Sequence, residues 1–283
     1  MSRSAILSTL GIALIGGGAQ AASFEVRDAV ARVVVIPEAR NDVRVEVLKA
    51  NRSLPLTVRT EGDRVVIDGK LGPRIINCRS TGENARVHIL GIGEVAYADM
   101  PQVVVRAPKA VTGQAGGAVF GMVGKSESLD LGNSGCGDWV LADVSGRAIL
   151  RQSGSGDTKM GASRELDVRI AGSGDVNTGP TAGPVTISVS GSGDVKIASA
   201  KGPVDIKIAG SGDVLIAGGH ASDASVSVAG SGDVNLNLVA ESLRARIAGS
   251  GDIRVRQVTG SVSKSSAGSG TISIGGLALG ERN

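Results

Sequence analysis

The residues with the clearest capacity for chemistry are aspartates that recur at an almost constant spacing. Each ends the tetrapeptide Gly-Ser-Gly-Asp, at Asp157, Asp175, Asp194, Asp213, Asp233 and Asp252. Gly135-Cys136-Gly137-Asp138 is an earlier variant and Gly268-Ser269-Gly270-Thr271 a later one, and successive copies are 18 to 20 residues apart. Carboxylates that stack at such a period can accept backbone hydrogen bonds in a turn or coordinate a hard cation such as Ca²⁺.

The composition of the motif favours hydrogen bonding over calcium. Calcium-binding nonapeptide repeats carry G-G-x-G-x-D, whereas this motif has no residue between its second Gly and the Asp. Like charges about 5 Å apart repel one another unless they are screened or bridged. We therefore expect a structural motif without a cofactor, and we keep calcium along the column from Asp157 to Asp252 as the alternative.

The sequence around the motif alternates between apolar and polar residues. Apolar residues hold fixed positions before and after it, at Ile170, Val189, Ile208, Val228 and Ile247, and at Val176, Val195, Val214, Val234, Ile253 and Ile272. A period of two with β-branched residues is typical of half-buried strands, and a repeat of about 20 residues is typical of a solenoid. The predicted fold is all-β, a right-handed parallel β-helix with coils of about 19 residues.

The glycines of the motif are expected to be required by the turn. They are Gly154, Gly156, Gly172, Gly174, Gly191, Gly193, Gly210, Gly212, Gly230, Gly232, Gly249 and Gly251. A chain that reverses within about four residues needs backbone with φ > 0, which glycine adopts without steric cost. A side chain at these positions would also meet its own copies in adjacent coils.

Residues 22–134 lack the motif but contain alternating apolar runs between turn-forming residues. We expect a β-rich extension or cap of the same solenoid there, with a separate small β-domain as the alternative. The repeat β-helix is expected over 135–283. Its short tail, 275–283, is expected either to cap the last coil or to leave it open to a partner.

The first 21 residues indicate export. Arg3 precedes an apolar run, and Ala19-Gln20-Ala21 follows it, as in a secretory signal peptide over residues 1–21. The run is shorter than the roughly 20 residues that span a bilayer, and no later stretch reaches that length. We therefore expect a mature chain without a transmembrane segment, located in the periplasm, on the cell surface or outside the cell.

Cys78 and Cys136 are the only cysteines of the chain. Two cysteines in an oxidising compartment usually pair, so we expect a disulfide between the N-terminal region and the first turn of the repeat. Two unrelated buried thiols are the alternative. Trp139 follows this first turn, and it is expected either to pack at the junction or to be exposed.

The composition excludes several classes of function. A net charge of +3 is too balanced for a polybasic nucleic-acid binder. The coils after Trp139 contain no aromatic residue to stack on a sugar ring, and their acidic residues outside the motif are scattered. His88 and His220 are far apart in the sequence, and each is expected to be a solvated side chain. A polysaccharide-active enzyme is therefore the least favoured class.

The combination of a leader, an alternating N-terminal β segment, Gly135-Cys136-Gly137-Asp138 and serial Gly-Ser-Gly-Asp-Val coils resembles the head GIN domain family of auto-transporter adhesins. The resemblance extends over nearly the whole mature chain. It implies a right-handed parallel β-helix and a role in adhesion, and it provides no catalytic residues to transfer.

From these features we expect a non-enzymatic exported protein. Its long faces would bind an envelope or extracellular protein or polymer, or serve as a scaffold. A calcium-stabilised repeat protein and a solenoid that associates end to end are the alternatives. The second alternative would follow from an unprotected strand edge at the last coil.

Overall fold

The chain folds into a β-solenoid in a computed structural model that describes residues 22–79 and 84–275. Parallel strands stack in coils of about 19 residues, and about nine turns form the solenoid. The parallel β-helix expected from the repeat is therefore confirmed, while its right-handed sense stays a prediction. The predicted signal peptide and residues 276–283 of the tail lie outside the described residues.

The strands of the repeat region lie before and after each motif turn. Their bounds are β10 (Ser128–Asn133), β11 (Trp139–Leu141), β12 (Val144–Gln152), β13 (Thr158–Met160), β14 (Ser163–Ile170), β15 (Val176–Thr178), β16 (Val185–Val189), β17 (Val195–Ile197), β18 (Ala200–Lys201), β19 (Val204–Gly210), β20 (Val214–Ile216), β21 (Gly219–Ala221), β22 (Ala224–Gly230), β23 (Val234–Ala240), β24 (Leu243–Gly249), β25 (Ile253–Val258), β26 (Val262–Gly268) and β27 (Ile272–Ile274). The short strands β18 and β21 belong to the looser second turn of their coils.

Equivalent strands pair in parallel, so each apolar position forms a column inside the solenoid. The strands before the turn stack in the order β10, β12, β14, β16, β19, β22, β24 and β26, and those after it in the order β11, β13, β15, β17, β20, β23, β25 and β27. Ile170 is in register with Val189, Ile208, Val228 and Ile247, and all five are buried. Branched aliphatic side chains thus fill the narrow interior that the absence of aromatic residues predicts.

The N-terminal region adds its own strands to the same stack. Their bounds are β1 (Ser23–Glu38), β2 (Arg44–Lys49), β3 (Thr57–Glu61), β4 (Arg64–Asp68), β5 (Ile75–Arg79), β6 (Arg86–Ile89), β7 (Gly93–Ala96), β8 (Gln102–Pro108) and β9 (Ala110–Val123), with short 3-10 helices at Gly72–Arg74 and Tyr97–Asp99. The long strand β1 pairs in parallel with β4 and β8 on one side and with β9 on the other. β9 in turn pairs with β10 and β11, where the regular coils begin.

Antiparallel strands cover the N-terminal edge of this stack. β2 pairs with β8 and β3 pairs with β4, each on the edge opposite to β1. Covering an edge in this way prevents another chain from adding to it. The sequence predicts an extension or cap in this region but not the antiparallel strands, because alternation of apolar and polar residues is the same in both strand directions.

A three-stranded antiparallel meander, β5 to β7, packs on the outside of the solenoid. Its apolar side chains form a second core with Val30, Ala118 and Phe120, which belong to β1 and β9. The predicted disulfide is confirmed: Cys78 of the meander is bonded to Cys136, with their Cα atoms 5.9 Å apart. The bond therefore ties the meander to the first motif turn.

Trp139 packs inside the first coils. It is fully buried, and a Cβ at Gly121 in the neighbouring strand would overlap its indole ring. The expectation that Trp139 is exposed is therefore wrong, and its packing at the junction is what the structure shows. Gly121 is required here because the large ring lies directly over it.

The last coil replaces apolar residues with polar ones at inward positions. Lys264 of β26 occupies the column of Ala245, and its Nζ donates to the carbonyl oxygen of Ile272 at 3.3 Å. Ser266 Oγ donates to the carbonyl oxygen of Gly270 at 2.9 Å. A charge directed inward at an exposed edge opposes the stacking of a further coil.

Candidate functional site

The motif aspartates form a hydrogen-bonded ladder along one corner of the solenoid. Each carboxylate accepts a hydrogen bond from the backbone N–H at the same position in the next coil. The N–H of Asp213 donates to Asp194 Oδ1 at 2.9 Å, and the equivalent distances along the corner are 2.7 to 2.9 Å. The ladder ends at Thr271, whose N–H and hydroxyl both donate to Asp252 and hold the pKa of that carboxyl below its usual range.

The ladder differs from the sequence expectation in one respect. A hydrogen bond within each turn was the expected pattern, whereas the bonds of the structure join adjacent coils. Coils stack about 4.8 Å apart, so the next N–H lies within reach of a short Asp side chain. In the part of the chain that the structure describes, no three His, Cys, Asp or Glu side chains converge as a metal site requires. We propose a structural role for the column.

Close stacking of coils explains why the motif needs glycine. A Cβ at Gly193 would overlap the carbonyl oxygen of Gly174 in the preceding coil, and the same overlap recurs at the other motif glycines. Among the motif glycines, positive φ occurs at the first glycine of three late copies, Gly230, Gly249 and Gly268. The expected φ > 0 therefore occurs in these late copies alone, whereas the expected contact between copies recurs along the motif and excludes a side chain.

The buried carboxylates outside the motif are bound by other groups. Asp167 is 4% exposed and accepts two hydrogen bonds from Arg169. Burial acts to raise the pKa of Asp68, but hydrogen bonds from the Lys70 N–H and the Arg59 guanidinium outweigh it and hold that pKa below its ordinary value. A general acid needs a raised pKa, so Asp68 is unsuited to that role.

The two histidines lie in different parts of the fold. His88 is on β6 of the meander, and His220 is on β21 in a second turn of the repeat. His220 Nε2 is 3.3 Å from a carboxylate oxygen of Glu241, and both side chains are exposed. His88 is likewise exposed, opposite Glu94 of β7, so both histidine side chains are solvated as the sequence predicts.

A groove on the outer face of the first coils has the character of a binding site. Val34 of β1, Met122 of β9 and Val140 of β11 are in register and project outward from adjacent layers. Together with Ile36 and Pro37 they line a cavity of about 560 Å³, which we call the apolar groove. Met122 is 53% exposed and Val140 is 49% exposed. The volume falls within the range of small-molecule sites, roughly 300–1,000 Å³.

The fold does not require apolar residues at these outward positions. The same column continues beyond the groove through Lys159, Asn177, Lys196, Leu215, Asn235, Arg254 and Ser273. Polar side chains are therefore compatible with this position in most coils. Adjacent exposed apolar side chains in a column that is otherwise mostly polar indicate an interaction surface.

The two ends of the apolar groove differ in charge. Lys125 lines it, and Lys159 follows in the next coil of the same column. Neither lysine makes an ion pair or hydrogen bond with another described residue. At the opposite end Glu46 is paired with Val104, which is in register with Val34. The end toward the repeat therefore carries two unpaired cations. The end toward the N-terminal cap carries both signs, because Arg106 is in register with Ile36 and pairs with Glu38.

Sequence reasoning did not find the apolar groove. Its residues come from three distant strands, and each lies in an alternating run that looks like an ordinary half-buried strand. The available indication was that Met122 and Val140 occupy the outward positions of their strands, where alternation predicts polar residues. Their proximity to Val34 follows from the strand register, which the sequence does not show.

The stacked coils, the aspartate corner and the lateral apolar groove define a class of rigid repeat scaffold. The chain belongs to the family described as "Putative auto-transporter adhesin, head GIN domain", whose profile matches residues 44–219 and 183–278. The resemblance inferred from the motif is thereby confirmed. No curated protein matches the chain.

Solved structures extend the comparison. A "putative lipid binding protein" from Parabacteroides distasonis ATCC 8503 is 19% identical, with a TM-score of 0.53 over 90% of this chain and 93% of its own. A "putative adhesin" from Bacteroides fragilis NCTC 9343 is 14% identical, with a TM-score of 0.46 over 91% of this chain and 94% of its own. The first similarity shows a shared fold. Within residues 22–79 and 84–275, none of the helices has the length and apolar character that crossing a bilayer requires.

Proposed function

We propose that the chain is a non-enzymatic, exported protein of the cell envelope or cell surface that binds a partner through the apolar groove. The observation that carries the proposal is the row of half-buried Val34 and exposed Met122 and Val140 in a column that is mostly polar elsewhere. Membership of an adhesin family supports a binding role. A rigid stack of coils also holds the groove in one geometry, which lowers the conformational cost of binding.

The alternatives left open by the sequence have less support. Lys264 is directed inward at the last coil and opposes end-to-end association. Each motif carboxylate from Asp138 to Asp252 already accepts a backbone N–H, so the corner has a structural role that needs no calcium. A binding protein therefore remains the best-supported function.

Export is tested by protease shaving of intact cells and of cells whose outer membrane has been opened. Digestion in intact cells would support a surface location. Protection in intact cells, followed by digestion once the outer membrane is open, would support the periplasm. Protection until the cytoplasm is released would contradict export.

The role of the apolar groove is tested by sedimentation of the purified chain with envelope fragments of the producing cells. Met122→Lys should reduce the bound fraction, because it places a charge in the groove. The variant should fold, since the same column carries Lys159 and Lys196. Leu215→Lys is the matched control, because it makes the same change in the same column away from the groove. Equal sedimentation of wild type and Met122→Lys would contradict the proposal.

A further inference from the structure

We infer that the apolar groove binds the acyl chain of an anionic amphiphile, with the head group beside Lys125 and Lys159. The inference rests on the proposed function and names the ligand class of the same site. Four features support it: the size of the groove, the nature of its lining, its length and the arrangement of charges around it.

The size of the groove favours a small molecule over a protein partner. A stable protein interface involves roughly 20–30 residues on each side and about 800 Å² per partner. The groove is lined by eleven residues around a cavity of about 560 Å³, which is too small for such an interface. A second copy of this chain is disfavoured for the same reason.

The lining and length of the groove fit an extended hydrocarbon chain. Its apolar side chains are aliphatic apart from Met122, whose flexible thioether adapts to ligands of varied shape. Val34, Met122 and Val140 follow one another in three adjacent layers. Two spacings of about 4.8 Å make this apolar row about 10 Å long. A linear acyl chain can lie along such a row and cover every one of these side chains.

The charges around the groove determine the polarity and orientation of the ligand. Lys125 and Lys159 are exposed and make no ion pair with another described residue, so both are available to an anionic head. Of the carboxylates nearest to them in the sequence, Glu127 pairs with Lys109 at 3.3 Å, and Asp157 accepts an N–H in the next coil. At the opposite end the cations Arg106 and Arg44 are already paired, with Glu38 and Asp42 respectively. The acyl chain should therefore run from the unpaired lysines toward the cap.

The test is isothermal titration calorimetry of the purified mature chain with dodecyl phosphate below its micelle concentration. We expect saturable binding to the wild type. Met122→Lys and Val140→Lys should each weaken it by about tenfold or more, since each removes apolar contact and puts a charge beside the chain. Leu215→Lys should bind like the wild type. Circular dichroism of each variant establishes that it is folded.

The head group is tested separately from the acyl chain. Lys159→Glu should weaken dodecyl phosphate several-fold but leave the neutral dodecyl maltoside unchanged, because the loss is electrostatic. Lys196→Glu, two coils further along the same column, is the matched control and should have no effect. Loss of affinity for both ligands in Lys159→Glu would contradict the placement of the head.

The outcomes separate this inference from the proposed function. Absence of saturable dodecyl phosphate binding in the wild type would overturn the inference, as would binding that Met122→Lys leaves intact. If the chain nevertheless sediments with envelopes in a Met122-dependent way, the proposed function stands and the partner has another chemistry. Binding of dodecyl phosphate that Met122→Lys weakens, without envelope association, would support the inference and contradict the envelope as the source of the partner.

Discussion

Replacing a single motif glycine tests whether contact between coils determines the Gly-Ser-Gly-Asp sequence. Gly193 lies in the middle of the repeat and does not have positive φ. A Cβ at this position would overlap the carbonyl oxygen of Gly174, and it would lie 3.2 Å from the Cγ2 of Ile170. Because the obstacle is backbone, Gly193→Ala must move two coils apart rather than displace a flexible side chain.

The expected cost has three parts. Forcing an extra methyl into a packed interior costs about 1–3 kcal/mol. Separation of the coils would weaken a hydrogen bond from Ser192 or Gly193 to the carbonyl oxygen of Gly172, worth about 1 kcal/mol. Restriction of the unfolded chain by Ala offsets about 0.4–1 kcal/mol of this. Gly193→Ala should therefore lower the free energy of unfolding by about 1–3 kcal/mol.

Gly218→Ala is the matched control for this experiment. Gly218 lies in a second turn, and the nearest atom to its added Cβ is the Ala198 carbonyl oxygen at 3.9 Å. Guanidinium unfolding followed by circular dichroism should show Gly218→Ala to be as stable as the wild type. Hydrogen exchange should locate the loss in Gly193→Ala at the coils around residue 193. Equal stability of the two variants would refute the contact explanation.

Three further predictions concern the corner, the cap and the last coil. Asp194→Ala should lower the free energy of unfolding by about 1 kcal/mol, because it removes the acceptor of an N–H in the next coil. Asp194→Asn keeps an acceptor oxygen and should cost less. Urea unfolding that ranks the two variants in the opposite order would contradict the ladder. A hydrogen bond from Arg27 holds the pKa of Glu25 below its ordinary 4.5. The stabilisation of the folded state by this ion pair is therefore present above about pH 4.5, and it is lost as the pH falls through the lower pKa that Glu25 has in the folded state. Arg27→Ala should therefore flatten the acid loss in unfolding midpoints measured over a pH series, and an unchanged slope would count against this pair. Lys264→Val should promote end-to-end association, measured by sedimentation velocity, because it extends an apolar column. Ser263→Val on the outer face is the control and should not. A monomeric Lys264→Val would show that other groups protect the edge.

The repeat could be predicted from the sequence because each coil is formed by about 19 consecutive residues. A motif at a constant period with alternating apolar residues defines a parallel stack without knowledge of distant contacts. Cys78 and Cys136 could be paired because they are the only cysteines of the chain. The signal peptide and the domain boundaries stay predictions.

The N-terminal topology and the apolar groove could not be predicted in this way. Both depend on the register between strands that are far apart in the chain, as for Val34 and Met122, which lie on neighbouring strands. Alternation shows which residues of a strand share a face, but not which strand lies beside it or in which direction. The recurrence of glycine at Gly193 and its equivalents predicts a position that excludes a side chain. The sequence does not show whether a positive φ or the contact between stacked coils excludes it.

The position of β1 has a consequence for the order in which the protein folds. This strand is synthesised first, yet its partners β4, β8 and β9 are synthesised afterwards. A repeat protein can nucleate at any coil and then grow by adding neighbours, but this end closes when residues up to Val123 are present. Until then at least one edge of a 16-residue strand is without a partner, a state that is prone to aggregation. The period before β9 is complete should therefore be the time at which a nascent chain most needs a chaperone.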